Sequence, residues 1–391
     1  MKRIVMSLLG LLMAVWASAN DGVYYVSGNH LVPVQETDIA VTKEVLTISI
    51  CDDGYATVDV YYELTNRGKE KTIDMGFEAA LPYNSGDAYD PKGRHPYIEK
   101  FRATVNGEQL KYKTGVVKAS SAEVPSNLRP LDVKQYHAVD ADAWEMGNTA
   151  LVDSKGEEVN IAYAYYFRAT FKKGLNKVHH QYRYKMSYGV YRSFEIPYWL
   201  TPATRWANHQ IDDFTLRIKA VNTAKHFYTL PRVFKGASFR VTEGTGKVRK
   251  RNSESVGEVI EVTLRNGTVE WHAKNFKPKE NMFINSADII LDGDIGAFYD
   301  RGRYMPQPTI DFKKFYGRQA KNEAEEKELI GRVMRNLPYA DRGYVFKDQK
   351  LQHYFESQWW YMPDADWQMS TDDFTKQDFD VVNELWKMYD E

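Results

Sequence analysis

The residues best suited to bind a ligand cluster at Trp359-Trp360-Tyr361, with Trp367 close behind. Indole and phenol rings stack on the apolar faces of sugars, so such a group could form a carbohydrate platform. A small domain also needs several large side chains to bury enough area, and adjacent Trp359 and Trp360 must point differently. A core is the first expectation; Trp359, Trp360 and Tyr361 stand as the ligand-binding candidates. His179-His180 lies in an alternating segment, where neighbouring side chains project to opposite faces, so the two rings cannot share one ion. Asp288, Asp292, Asp294 and Asp300 flank Asp292-Gly293-Asp294. They lack the regular spacing and terminal bidentate carboxylate of a calcium loop, and turn chemistry accounts for them. His95, between Arg94 and Pro96, reads as a loop residue. No metal and no cofactor is expected.

Catalytic signatures are missing as well. There is no Gly-x-Ser-x-Gly elbow, no His-Glu-x-x-His pair and no phosphate-binding glycine loop. Cys51 is the single cysteine, so no internal disulfide can form, and a buried, inert thiol is the expectation. Two carboxylates in a β cleft could still hydrolyse a glycoside, because their separation is set in space and not along the chain. The basic run Lys247, Arg249, Lys250 and Arg251 reads as a solvated hairpin tip, with a contact to anionic polymer as the alternative.

From Val41 to about Asp292 the dominant period is two. Val58, Val60, Tyr62 and Leu64 share one face, and Asp52-Asp53-Gly54 predicts a hairpin back to Val45–Ile50. Ile73, Met75 and Phe77 resume the alternation after Asn66-Arg67-Gly68. Asn106-Gly107 and Asn266-Gly267 each predict a tight type I′ hairpin, since both residues tolerate positive φ. Ile161 through Phe171 and Val178 through Tyr188 alternate without a miss and are expected to pair across Lys172-Lys173-Gly174. Phe214, Leu216, Ile218 and Ala220 form a further strand. Between Gly115 and Glu158 the pattern lapses, which suggests an insertion with one short helix near Ala141 to Met146. Many short antiparallel strands imply one or two sandwich-like domains. The stretch from Val45 through Asp213 also resembles an uncharacterised family of exported bacterial β proteins. The resemblance is carried by Glu44-Val45-Leu46, by Val58 to Leu64 with Lys71-Thr72-Ile73, and by Leu200 to Phe214 including Arg205-Trp206-Ala207. It implies no activity.

Near Gly317 the period changes to that of a helix. Leu329, Val333 and Leu337, with Ile330 and Met334, form one stripe that Pro338 is expected to stop. Asp348 caps a second helix, Gln349 to Ser357, with Leu351, Tyr354 and Phe355 inward. Thr375 caps a third, presenting Phe379, Val382, Leu385, Trp386 and Tyr389. The run Arg335 to Asp348, containing Tyr339, Ala340, Asp341, Arg342 and Gly343, resembles the signature of the YARHG domain, named for Tyr-Ala-Arg-His-Gly. Leu351, Tyr354-Phe355, Trp360-Tyr361 and Pro363 follow in the family's order. Asp341 replaces the family's Arg and Arg342 its His. Gly343 reads as a positive-φ turn residue, and Tyr339 as a ring buried beneath the turn with its hydroxyl on a backbone group. On that reading, Asp341→Arg with Arg342→His leaves stability nearly unchanged. The resemblance covers about Glu325 to Tyr389 and implies an exported bacterial protein associated with the envelope.

The first residues have the three parts of a secretory signal: Lys2-Arg3, an apolar run from Ile4 to Trp16, and Ala17-Ser18-Ala19 before Asn20. The apolar run is too short to span hydrocarbon, so cleavage between Ala19 and Asn20 is expected, leaving a mature chain with no transmembrane segment. The chain holds 52 basic and 53 acidic residues, a balance that argues against a nucleic-acid partner. The expected organisation is a signal peptide at 1–19, β-rich domains at 20–115 and 159–316 (the latter separate or a continuation), a connecting segment at 116–158, and a helical domain at 317–391. A periplasmic or extracellular non-enzymatic protein binding a cell-wall polymer or an envelope protein is the first functional expectation. A carbohydrate-active enzyme, or a carbohydrate-binding module acting through Trp359 and Trp360, is the alternative.

Overall fold

Alternating apolar positions become strands wherever one face can be buried, and the mainly β architecture follows from that rule. The computed structural model describes residues 29–33, 38–51, 53–80, 98–118, 135–140, 149–157, 161–189, 192–198, 200–221, 225–230, 234, 236–253, 257–286, 297–300, 303–306, 310–370, 374 and 376–390. The expected signal segment with Ala17, Ala19 and Asn20, the expected helix near Ala141, His95, Asp288, Asp292, Asp294 and Thr375 lie outside them. Among the described residues no helix is long and apolar enough to cross a membrane. Internal contacts divide the chain into two units, Met1–Arg217 with His272–Asn285, and Ile218–Trp271 with Ser286–Glu391.

The first unit is antiparallel. Ile39–Ile50 pairs with Tyr55–Asn66 through the expected hairpin, with Ile50 opposite Ala56. Tyr55–Asn66 pairs in turn with Gly174–Lys185, and that strand with Ile98–Val105. A second sheet orders Asn29–Pro33, Lys71–Ala80, Ile161–Phe171 and Tyr112–Lys118. Phe101 of the first sheet stacks on Tyr165 of the second, centroids 4.7 Å apart. The Asn106-Gly107 turn is as expected, with both φ positive at 53° and 87°.

Ile161–Phe171 and Gly174–Lys185 do not pair with each other, contrary to the sequence expectation. The first lies against Lys71–Ala80 and Tyr112–Lys118, the second against Tyr55–Asn66 and Ile98–Val105. Lys172-Lys173-Gly174 is therefore a corner where the chain changes sheets, as it also does after Asn66 and before Tyr112. Three asparagines hold this end together. Asn66 donates to the carbonyls of Lys69 (2.9 Å) and Phe171 (3.1 Å). Fully buried Asn176 donates to the carbonyls of Lys172 and Gly174 and accepts from Lys172 N. Asn106 donates to Asn176 Oδ1 at 2.9 Å and accepts from Lys177 N. Each amide satisfies main-chain groups that a corner removes from the sheet ladder.

In the second unit, Gly257–Phe276 carries Lys225–Leu230 on one side and Arg240–Ser253 on the other. The hairpin expected at Asn266-Gly267 does not form, and the strand runs straight through it. Only Asn266 takes positive φ (44°), whereas a type I′ turn needs both residues there. Gly244 (φ 70°) sits opposite, and the pairing register slips on both sides of Glu243. The facing main chains approach so closely that a Cβ on Gly244 would meet Asn266 O, and one on Gly267 would meet Glu243 O. The result is a pair of opposed bulges that bend the ribbon. Between Gly115 and Glu158 the structure adds a small hairpin, His137–Asp140 with Thr149–Val152.

Among the described residues, four helices complete this unit: α1 (Phe312–Tyr316), α2 (Glu323–Asp341), α3 (Gln349–Glu356) and α4 (Lys376–Asp390). Asp311, Asn322 and Asp348 cap the first three by accepting from backbone N–H groups. Leu329, Ile330, Val333, Met334 and Leu337 are buried as their spacing required, together with Phe312 and Phe355. Pro338 does not stop α2; the helix continues to Asp341. Near the C-terminal end a proline removes one helical bond, while its carbonyl gains a donor from Arg342 Nη1 at 3.2 Å. Phe379, expected inward, is 40% exposed, and Val382 takes the buried position on α4.

Candidate functional site

The YARHG-like signature forms the C-terminal end of α2. Gly343 has φ 88°, its N–H reaches Ala340 O (2.9 Å), and Tyr344 N reaches Tyr339 O (3.0 Å). These are the two bonds of a Schellman motif, which requires a left-handed residue after the cap. A Cβ on Gly343 would come within 2.6 Å of Met362 O. Arg342 extends to α4, donating to Asp378 Oδ2 at 2.9 Å, and its guanidinium lies 4.5 Å over the Phe374 ring. The Asp378 side chain is fully buried. Arg342 therefore ties α2 to α4, so its exchange for His, expected to be neutral from the sequence, would remove this bond to a buried carboxylate. Tyr339 packs on Phe374 (4.8 Å) and Tyr344 (6.3 Å). The expected hydroxyl-to-backbone bond is made instead by Tyr361, to Tyr344 O at 2.8 Å.

The aromatic ligand-binding candidates do not form a platform. Trp360 and Tyr361 are buried in the helical core against Phe355. Trp359 is half-buried and covered by the Arg249 guanidinium, 4.4 Å from its ring centre. Trp367 meets Tyr344 and Phe374 edge-on.

Arg249 also corrects the reading of the basic run. Lys247 and Arg249 lie two apart on one face of Arg240–Ser253, opposite Thr263 and Glu261. Lys247 Nζ donates to Glu356 O (3.1 Å) and Gln358 O (2.6 Å), capping the end of α3. Burial pulls the Lys247 ammonium below its ordinary range. Arg249 Nε meets Glu261 at 2.6 Å, and Arg265 donates to Arg342 O and to Asp364. The alternating cations fasten the helices to the ribbon and are not a solvated tip.

The helical unit has a recess of about 440 Å³ between α1 and α3. Phe315 and Tyr354, ring centres 6.1 Å apart, form its apolar wall. Lys314, Lys350 and His353, with exposed side chains, line it together with Asp311, Ser357 and Gln358. Burial pushes the Tyr354 phenol up, so it stays a donor at any physiological pH. No sequence motif announced this recess, because its walls come from two helices more than thirty residues apart.

A second group missed by sequence reasoning lies in the first unit. Glu44 is 2% exposed, directly opposite Tyr62, with Tyr198 Oη 3.5 Å from its carboxylate. Burial raises the Glu44 carboxyl from 4.5 to about 8, with the Tyr198 hydrogen bond opposing. A bulge at Thr42 causes the placement: Ile39 and Val41 face inward before it, and Glu44, Leu46 and Ile48 after it. Asn208 holds the bulge by pairing both Val41 N (3.1 Å) and Val41 O (2.9 Å). His180 is buried nearby, 5.8 Å from the Tyr62 ring, and burial lowers its imidazole to about 3. His179 points the other way, to Asp59 at 3.0 Å. Cys51 is half-buried, its thiol directed to Ser49 O.

No curated protein matches the chain. Among solved structures it resembles a candidate nutrient-binding protein of Legionella pneumophila, 19% identical over 94% of this chain and all of that one, with a TM-score of 0.46. An M1 zinc metallopeptidase of Deinococcus radiodurans is 10% identical over 76% of this chain, which spans 53% of the peptidase, with a TM-score of 0.23. Baculovirus P35 is 10% identical over 66% of this chain and 98% of its own, also at 0.23. The YARHG domain model matches residues 314–388, the segment in which the signature turn, the Arg342–Asp378 tie and the helical core were found, and the chain thus carries a YARHG domain.

Proposed function

We propose that this protein is exported to the bacterial envelope and acts there without catalysis, binding a cell-wall polymer or an envelope protein through its YARHG domain. The observation that carries this reading is the recess between α1 and α3, which gathers cations, hydroxyl and amide groups around an aromatic wall. The signature residues and tryptophans are used in holding the domain together, whereas the residues lining the recess keep exposed polar side chains. The signal-like Lys2 to Ala19 segment supports export. Incubating the purified chain with insoluble cell-wall polymer, and separately with envelope extract, tests the reading by co-sedimentation and pull-down. Retention by at least one is expected, and absence from both would overturn it.

A further inference from the structure

We propose that the α1–α3 recess binds an acidic sugar of an envelope glycan, its ring lying on Phe315 and Tyr354 and its carboxylate or phosphate held by Lys314 and Lys350. The proposal rests on the binding role given above and assigns the ligand's chemistry.

Four observations point the same way. The cavity, about 440 Å³, falls within the range of small-ligand sites, about 300–1,000 Å³. Phe315 and Tyr354 are half-buried, so each presents part of a ring to the cavity while its remainder is fixed in the core. Such rings take the C–H face of a pyranose at little entropic cost. Lys314 and Lys350 approach from different helices, and an ammonium is a compact charge that pairs with carboxylate or phosphate alike. The Lys350 ammonium lies 4.6 Å over the ring of Tyr316, the neighbour of Phe315 on α1. Asp311 is the discriminating group. Its Oδ1 accepts from Lys314 N as the cap of α1, and a carboxylate in the lining repels a bare anion while accepting hydroxyl donors. Ser357 and Gln358 add hydroxyl and amide partners to the lining. A site built for free phosphate would omit the acid and the rings; one built for a neutral sugar would omit the paired lysines.

The test is calorimetric and NMR titration of the full chain with glucuronate, glucose 1-phosphate, glucose and inorganic phosphate. The two acidic sugars are expected to bind at least about tenfold tighter than glucose and than inorganic phosphate, perturbing resonances of α1 and α3. The double variant Lys314→Ala/Lys350→Ala, whose side chains are exposed, should lower acidic-sugar affinity about tenfold at an unchanged melting temperature. Equal binding of glucose, equal binding of inorganic phosphate, or undiminished binding by the double variant would each overturn the proposal. Wild-type chain that sediments with cell wall yet binds neither acidic sugar would sink this ligand assignment alone. Loss of all envelope retention would sink the broader reading too.

Discussion

Gly343 and Arg342 sit side by side in the signature and act by different physics. The positive φ of Gly343 costs a residue with a β-carbon about 1 kcal/mol, and the crowding against Met362 O adds to it. Gly343→Val should therefore lower the melting temperature of the whole chain, followed at the helical circular dichroism signal, by several degrees; wild-type melting would show that the turn relaxes freely. Arg342→His deprives fully buried Asp378 of its guanidinium, a loss on the order of 3 kcal/mol for a broken buried pair. Denaturant titration of the Asp341→Arg/Arg342→His variant should show that loss, and a neutral result would mean that the Arg342–Asp378 pair adds nothing to stability. Glu44 makes a prediction in pH. Its folded carboxyl keeps a proton up to about pH 8, whereas the unfolded chain releases it near 4.5. The folded state thus holds more protons across that window, and stability falls as pH rises from about 4.5 to 8. His180, lowered to about 3 from 6.5, works in the opposite direction and costs stability as pH falls through that range. Glu44→Gln should flatten the alkaline limb and leave the acid limb standing; a variant whose alkaline limb matched wild type would mean that Glu44 is ionised when folded.

At the scale of elements, irregularities do the positioning. The bulge at Thr42 turns Glu44 inward, the opposed bulges at Glu243 and Asn266 bend the ribbon, and the Schellman turn ends α2 after Pro338 has failed to. Helix α1 is too short to be stable alone and holds only because Phe312 enters the core beside Leu329 and Phe355. A fragment beginning at Ile310 should accordingly melt cooperatively as a helical unit, and one beginning at Gly317 should melt at least several degrees lower. Equal melting points would show that α1 contributes nothing to the core.

For the whole molecule, the expectation that bears on its location concerns processing. Ala17 and Ala19 fit the small pockets of a signal peptidase, so mass spectrometry of the exported protein should find Asn20 first. A secreted species that retained Met1 would contradict both the signal and the envelope role.

Alternation and helical stripes, read from the sequence, determined the strands, the helical core, the turn at Asn106-Gly107 and the cap at Asp348. Those features depend on neighbours along the chain, and local backbone chemistry specifies them. The Gly343 turn was legible for the same reason. Tertiary structure alone decided which strands pair. Ile161–Phe171 and Gly174–Lys185 look like a hairpin in sequence, yet the buried amides of Asn66 and Asn176, with Asn106 bonded to Asn176, hold their junction as a corner between sheets. It likewise decided that Asn266-Gly267 is a bulge, that Lys247 and Arg249 fasten the helices, and that Trp360 is core. The recess was invisible beforehand because Lys314 and Phe315 meet Lys350 and Tyr354 only once α1 and α3 have packed. Burial and proximity are properties of the folded chain, and residue spacing along it does not encode them.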